Sequence, residues 1–447
     1  MNKFKEKLNS YFSDLYTGEE KIILDLEPNK LLTHLRYDVI IKIMYVEFYL
    51  GITKSKLNKI LYYLHLKRWK NFQGKDSNKY SYKDYELSFN ETINSIKEGF
   101  DTSKTLIPID KENKIIDGAH RLSASIVLKK KVGVIQFGSL APSITLNRLD
   151  NFFNFKKNMY ILDHLIIYYV KYFKNLRFII LFPVRNKTYD EKSISEIKKY
   201  GDIVLTKSIS VGGMVSAFHM IKNFYFGAKW IGNLQDGFKG AAWKTQACFN
   251  NTNGVIDVLL FRPHKEEYVR TDHLKKVKEN IRKIYNIHFH SIHSSDNYEE
   301  NIRYSKLFFD KNSQKLLTKR PNIFYTKLES LIQKLNNNRI DHHNFVFSGS
   351  AVMGALGLRE PNDFDVFYDE SFSLPNDFSS HNNQIIYLHG YSINELIYNP
   401  KNYFFYMGYK FINLDIVLRL KINRFKLKPK TKDENDIKII QEYLNSL

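Results

Sequence analysis

The chain has 447 residues, 43% of them hydrophobic and 15% aromatic, which excludes a fibrous or wholly disordered protein. At roughly 100–200 residues per domain this length implies two to four domains. A single cysteine, Cys248, excludes an intramolecular disulfide framework and points to a reducing, cytoplasmic setting.

The N-terminus shows no continuous apolar core of signal-peptide type. The most apolar stretches, 161–170 and 178–184, fall short of the about 20 residues that span a bilayer, so no transmembrane segment is expected. A net charge of +21 invites a polyanionic partner, because Lys and Arg neutralise phosphates. Nucleic acid is not favoured. Lys, Asn and Ile are abundant throughout, as AT-rich coding would yield, and no run of five or six like charges forms a basic arm.

In chain order, residues 1–100 read mainly as helix, with apolar periodic runs at 37–50, 56–66 and 91–97. Short strands at 105–109 and 114–116 flank a polar turn, followed by Asp117-Gly118, a helix through Leu128 and a strand at 132–137. A connector at 142–154 leads into an aromatic helix at 152–173. Strand 177–183, helix 191–200, strand 202–208 and a helix from Gly212-Gly213 to Tyr225 follow. That strand–helix alternation favours an α/β domain. A strand at 255–261 and charged helices at 272–285 and 297–309 complete it.

A boundary is expected at 319–322, before a helix at 326–335, a polar linker and a strand at 344–347. The expectation is a multidomain protein of α/β and α+β class. Its domains are 1–145 (largely helical), 146–320 (central α/β) and 321–447 (a mixed sheet with helices).

The last domain carries the densest chemistry. The strand Phe345-Val346-Phe347 runs into the small-residue turn Ser348-Gly349-Ser350, and twelve residues later Asn362-Asp363-Phe364-Asp365-Val366-Phe367-Tyr368 reads as the next strand. Strand alternation places Asp363 and Asp365 on one face. Adjacent carboxylates repel unless a cation holds them. A third, Asp415, lies between apolar residues of an expected strand at 410–417. Hard oxygen ligands of this kind hold Mg²⁺ (or Mn²⁺) in nucleotidyl transfer. Backbone N–H groups of a Gly-Ser turn suit phosphate oxygens.

This set resembles the polymerase-beta-like nucleotidyltransferase superfamily, whose signature is a Gly-Ser turn, an Asp-x-Asp strand and a third Asp on a later strand. The resemblance implies that Gly349 and Ser350 bind the triphosphate, and that Asp363, Asp365 and Asp415 hold metal and are catalytic. Arg359 reads equally as a phosphate contact or a solvated arginine. Lys432-Asp433-Glu434-Asn435-Asp436 is similar to a run that many small members carry at a helix start. Helix capping by Thr431 or Asp433 explains it as well.

A second signal is the apolar strand ending in Asp117-Gly118, with His120 and Arg121 opening a helix. Gly118 permits a tight turn, and an arginine near a helix N-terminus can fork onto phosphate. The run 115–126 is similar to the ParB/sulfiredoxin-like nucleotide-binding fold. That resemblance implies phosphate binding by Asp117, Gly118, His120 and Arg121, with kinase activity a further option. Ala119 stands where sulfiredoxin chemistry needs a cysteine. Local packing also explains His120. Arg36, Asp38 and Lys42 share spacings that suit one helix face, solvated or functional.

His288, His290 and His293, with Asp296, Glu299 and Glu300, form a titratable cluster. It is open to a metal, a phosphate or a purely structural role. Glycine turns at Gly212-Gly213 and Asp236-Gly237 read as ordinary loops or as ligand approaches.

The functional expectation is a Mg²⁺-dependent enzyme taking CTP or ATP and a small, phosphorylated acceptor, with a nucleotide-binding or kinase N-terminal domain. By analogy, surface-polysaccharide precursors would be its setting. The alternatives are a nucleotidyltransferase of toxin–antitoxin type acting on RNA or protein, or a non-catalytic nucleotide-binding protein.

Overall fold

The computed structural model describes residues 19–33, 36–68, 79–138, 159–250, 254–264, 271–287, 289–316, 325–338 and 343–446. The expected connector at 142–154, the boundary at 319–322 and the N-terminal stretch through Tyr16 lie outside these residues. The protein is mixed α/β, with about 53% helix and three small sheets among the described residues, and it divides into two compact units, 1–161 and 162–447. No helix among the described residues is long and apolar enough to cross a membrane.

In the first unit the three-stranded sheet has the order β1-β3-β2, formed by β1 (Lys21–Leu26), β2 (Ile107–Ile109) and β3 (Val132–Gln136). β3 is antiparallel to β1 and parallel to β2. Around it lie α1 (Tyr37–Tyr49), α2 (Lys56–Arg68), α3 (Tyr82–Glu98) and α4 (Ala119–Leu128). α3 starts well before the expected 91–97 because Ser81 and Asp84 form a reciprocal capping box. The strand expected at 114–116 shrinks to one bridge, Ile115 to Ile109. There the Asp110 carboxylate takes the Glu112 and Lys114 N–H groups and closes a turn.

The second unit contains two sheets. The first, in order β5-β6-β4-β7, comprises β4 (Arg177–Leu181), β5 (Gly201–Val211), β6 (Gly254–Pro263) and β7 (Ile292–Ser294). Every pairing of neighbouring strands is antiparallel, while the expected strand–helix–strand–helix order is present from β4 onward. β6 inserts between β4 and β5 and pairs with β5 from Gly201↔Pro263 to Val211↔Gly254, with one register shift between Ile203 and Leu205. Because β6 is antiparallel to both, β4 and β5 point the same way and the helix between them is a crossover that skips one strand. The helices here are α5 (Met159–Tyr172), α6 (Asp190–Lys198), α7 (Met214–Phe224), α8 (Lys239–Phe249), α9 (Thr271–Tyr285), α10 (Tyr298–Phe308) and α11 (Lys311–Leu316).

After α12 (Thr326–Asn337) comes the second sheet, in order β10-β9-β8-β12-β11. Its strands are β8 (Phe345–Phe347), β9 (Asp365–Tyr368), β10 (Ser379–Ser380), β11 (Tyr403–Tyr406) and β12 (Tyr409–Ile412). β8 is antiparallel to β9 and parallel to β12, giving the mixed sheet expected. Its helices are α13 (Gly349–Ala355), α14 (Ile393–Tyr398), α15 (Leu414–Leu427) and α16 (Thr431–Asn445).

Buried polar contacts fasten the β11–β12 hairpin to the central helices. Lys222 of α7 is fully buried and donates to the Tyr406 hydroxyl of β11 at 3.2 Å as well as to Glu329 of α12 at 2.6 Å, and Asn223 Oδ1 accepts the Met407 N–H at 3.0 Å. The hairpin feeds α15, one wall of the site described next.

Candidate active site

The site begins where β8 ends. Ser348 is extended and its N–H donates to the Asp365 carbonyl at 2.8 Å, tying the turn to the start of β9. Gly349 then turns with φ +58°, and a Cβ there would come within 2.6 Å of Asp365 Oδ2. Only glycine meets both conditions. Ser350 Oγ donates to Asp363 Oδ1 at 2.9 Å and to the Asp363 carbonyl at 3.1 Å. β9 begins at Asp365, not at 362 as expected, so it is Ser350 rather than strand alternation that holds Asp363 beside Asp365. Gly349, Ser350, Arg359, Asp363 and Asp365 all line one cleft of about 200 Å³.

A second wall is cationic. Lys421 and Arg424 of α15, with Lys430, Lys432 and Asp433 at the start of α16, line the same cleft. Buried acids behind hold these cations. Arg359 forks onto Asp436 at 2.6 and 2.9 Å, Lys421 lies 2.6 Å from Asp436, and Arg424 Nε donates to Asp433 at 2.9 Å. Burial disfavours charge on Asp433 and Asp436, but Arg424, Arg359 and Lys421 more than offset it and keep both carboxyls below their ordinary range. Neither Thr431 nor Asp433 caps α16, whose N-cap Lys430 makes no side-chain cap bond. The Lys-Asp-x-x-Asp run instead orients cations.

Asp415 is a correction. β12 stops at Ile412, and Asn413 starts a helix whose Ile416 N–H returns to the Asn413 carbonyl at 3.0 Å. Asp415 therefore sits exposed in the first turn of α15, where an acid complements the helix dipole, and it does not line the cleft. Among the described residues no group of three His, Cys, Asp or Glu side chains is arranged to hold a metal.

Two carboxylates remain. Burial first, and the charge of Asp363 second, push the Asp365 carboxyl up to about 6, so ionising it without a counter-cation is costly. Two carboxylates and a serine hydroxyl are hard oxygen donors of the kind that hold Mg²⁺ when substrate phosphates and water complete its shell. The residues fit such an ion held by Asp363 and Asp365 rather than by three aspartates.

His381, just after β10, went unnoticed in the sequence. Its Nδ1 lies 2.7 Å from Ser348 Oγ and its Nε2 3.2 Å from Asp365 Oδ2. Burial, then Arg424, draw the imidazole down to about 4, so it is neutral at physiological pH. Ser348 and His381 are 33 residues apart, and no local pattern links them.

In the first unit the Asp117-Gly118 turn is built as expected, with Gly118 at φ +87° opening α4. Its side chains serve the fold. Arg121 folds back over Gly118, donating to the Leu106 carbonyl at 3.0 Å and to Thr105, with Asp117 at 3.4 Å. His120 is enclosed by Phe89 and Tyr62, whose hydroxyl meets Nε2 at 3.1 Å. Burial, then Lys42, hold His120 well below its usual range. Arg36, Asp38 and Lys42 form no solvated face. They are buried, with Arg36 forked onto Asp38 at 2.8 and 2.9 Å and Lys42 3.1 Å from it.

His288 lies outside the described residues. His293 is half-buried with both ring nitrogens on tyrosine hydroxyls, Tyr225 at 3.1 Å and Tyr304 at 2.9 Å, which leaves no nitrogen for a metal. His290 lies against Trp243. Glu300 accepts the Asp296 N–H at 2.8 Å and Glu299 sits in the first turn of α10. Gly213 opens α7, and the Asp236 carboxylate closes a turn on the Asn233 N–H.

No family model, curated protein or solved structure matches the chain.

Proposed function

We propose that the cleft between Gly349-Ser350 and α15–α16 transfers a nucleotidyl group from CTP or ATP to a small, phosphorylated acceptor. The observation that carries this reading is the meeting of two wall types. A glycine-serine turn pressed against Asp363 and Asp365 shares one cleft with Lys421, Arg424 and Arg359, each anchored by a buried acid. Mg²⁺ or Mn²⁺ held by the aspartates would neutralise triphosphate charge. Lys421, Arg424 and Arg359 bind and orient phosphate oxygens, preorganised by Asp433 and Asp436. An acceptor phosphate oxygen, already ionised, forms a bond to the α-phosphorus. The α–β bridging oxygen departs with pyrophosphate, and no proton needs removing.

In the first unit Arg121 and His120 are committed to the fold. Nucleotide binding there rests on the backbone N–H groups opening α4 and on Asp117.

The test incubates the full chain with α-³²P-labelled CTP or ATP, Mg²⁺ and a panel of sugar and polyol phosphates, reading pyrophosphate and labelled product. Asp363→Ala with Asp365→Ala should lower turnover by at least about 10³-fold, on the scale of lost electrostatic stabilisation. Unchanged turnover in that variant sinks the proposal. Label on RNA or protein, lost steeply with salt, would favour a macromolecular acceptor instead.

A further inference from the structure

Each aspartate of the pair has one carboxylate oxygen engaged. Ser350 Oγ donates to Asp363 Oδ1 at 2.9 Å, and His381 Nε2 lies 3.2 Å from Asp365 Oδ2. That same Oδ2 is packed against Gly349, within 2.6 Å of where a Cβ would stand. An ionised carboxylate only accepts hydrogen bonds, so Nε2 carries the ring proton. The neutral imidazole is then an acceptor at Nδ1, and Ser348 Oγ donates to it across 2.7 Å. Ser348 and His381 are both buried, so the chain Ser348–His381–Asp365 has little rotational freedom. The carboxylate oxygens of the pair outside these two contacts are Asp363 Oδ2 and Asp365 Oδ1, one from each side chain.

We infer that Ser348 and His381 act as a positioning pair that makes Asp365 a one-oxygen ligand and so selects Mg²⁺ or Mn²⁺ against Ca²⁺. The inference rests on the nucleotidyl-transfer reading of this site. Its physical basis is ligand geometry. Mg²⁺ demands a near-ideal octahedron at about 2.0–2.1 Å and usually takes one or two carboxylates plus water and phosphate. Ca²⁺ takes 6–8 oxygens at about 2.3–2.6 Å and gains from carboxylates binding through both oxygens. With Oδ2 held 3.2 Å from His381 Nε2 and packed against Gly349, Asp365 is hindered from turning to chelate. Ser350 imposes the same limit on Asp363.

The experiment measures equilibrium Mn²⁺ binding to the full-length chain by electron paramagnetic resonance, with Mg²⁺ and Ca²⁺ as competitors. The quantity read is the ratio of Ca²⁺ to Mg²⁺ affinity. His381→Phe keeps the ring but removes the donor, and should shift the ratio toward Ca²⁺ by about tenfold, the lower end of what outer-shell partners contribute to metal affinity. His381→Gln restores an N–H donor and should bring the ratio back toward wild type. Ser348→Ala, which only loosens the ring, should shift it the same way by a smaller factor, and it decides the matter if His381→Phe does not fold. Ratios within twofold of wild type in the folded His381→Phe and Ser348→Ala proteins overturn the inference. A Gln variant shifted as far as the Phe variant also counts against it. Asp365→Asn separates the two levels. If it leaves Mn²⁺ binding intact, the transfer-site reading itself falls; if it abolishes binding while the ratios stay flat, only the selectivity role falls.

Discussion

The Gly118 turn of the first unit and the Gly349 turn of the second are built alike. Each follows an apolar run, a strand before Gly349 and a single β-bridge at Ile115 before Gly118, places glycine at positive φ, and opens a helix. They differ in where the neighbouring charge goes. At Gly349 the carboxylates of Asp363 and Asp365 line a cleft together with cations anchored from behind. At Gly118 the guanidinium of Arg121 is spent on the Leu106 carbonyl and Thr105, while His120 is shut between Tyr62 and Phe89. The same local device therefore serves an open polar site in one unit and a packed junction in the other. What separates them is whether partners from distant segments satisfy the polar groups or leave them facing solvent.

The largest expected effect breaks the likeness of the two glycines. Gly349→Ala puts a methyl 2.6 Å from Asp365 Oδ2 in a left-handed conformation, and transfer activity should fall by at least about 10²-fold, as small displacements of positioned groups do. Gly118→Ala meets the mobile end of Arg121 at 2.9 Å. It should lower stability by about 1–2 kcal/mol with turnover little changed. Denaturant melts and turnover on both variants check this, and equal loss of turnover would erase the distinction.

A smaller effect is expected behind the cationic wall. Asp436→Asn removes the buried counter-charge of Arg359 and leaves Lys421 with Asp433 alone, at 3.4 Å. Removing one partner of a buried pair is strongly destabilising, and with Arg359 partly exposed we expect about 2 kcal/mol of lost stability and a raised KM for nucleotide. A stability loss with KM unchanged would mean that Arg359 and Lys421 do not touch the triphosphate.

The smallest concerns pH. The Asp365 carboxyl is raised to about 6, above its value in the unfolded chain of about 4. The folded state thus holds this proton more tightly, and the stability so contributed is complete below about pH 4 and lost as pH rises through about 6. Asp365→Asn should therefore be more stable than wild type at pH 8 by on the order of 1–2 kcal/mol, with the difference shrinking toward pH 4. Urea midpoints of both proteins at the two pH values decide it, and a gap that widens on acidification would reverse the assignment. Divalent cation should narrow the gap at pH 8.

Much of the site was legible in the residues. Phe345-Val346-Phe347 followed by Ser348-Gly349-Ser350 announced a strand and turn, and Asp363 and Asp365 announced paired acids. Asp415 misled because Leu414, Ile416 and Val417 suit a buried strand and a buried helix equally. Only Asn413, already extended at the helix N-cap, hints at the switch. His381 was illegible, since it meets Ser348 only through the parallel pairing of β10 with β9. The antiparallel central sheet was hidden for a similar reason, as nothing in β4 or β5 says that β6 will come between them.

The sequence by itself determined the local pieces: the two glycine turns, the apolar strands and helices, and the acids beside Gly349. Those follow from backbone sterics and hydrophobic period, which act over a few residues. The tertiary structure decided which charges are buried and paired, and so which are available. It turned Asp415 outward, placed Asp433 and Asp436 behind Arg424, Lys421 and Arg359, and folded Arg121 over Gly118. Desolvation and pairing depend on neighbours far along the chain, and no window of adjacent residues contains them.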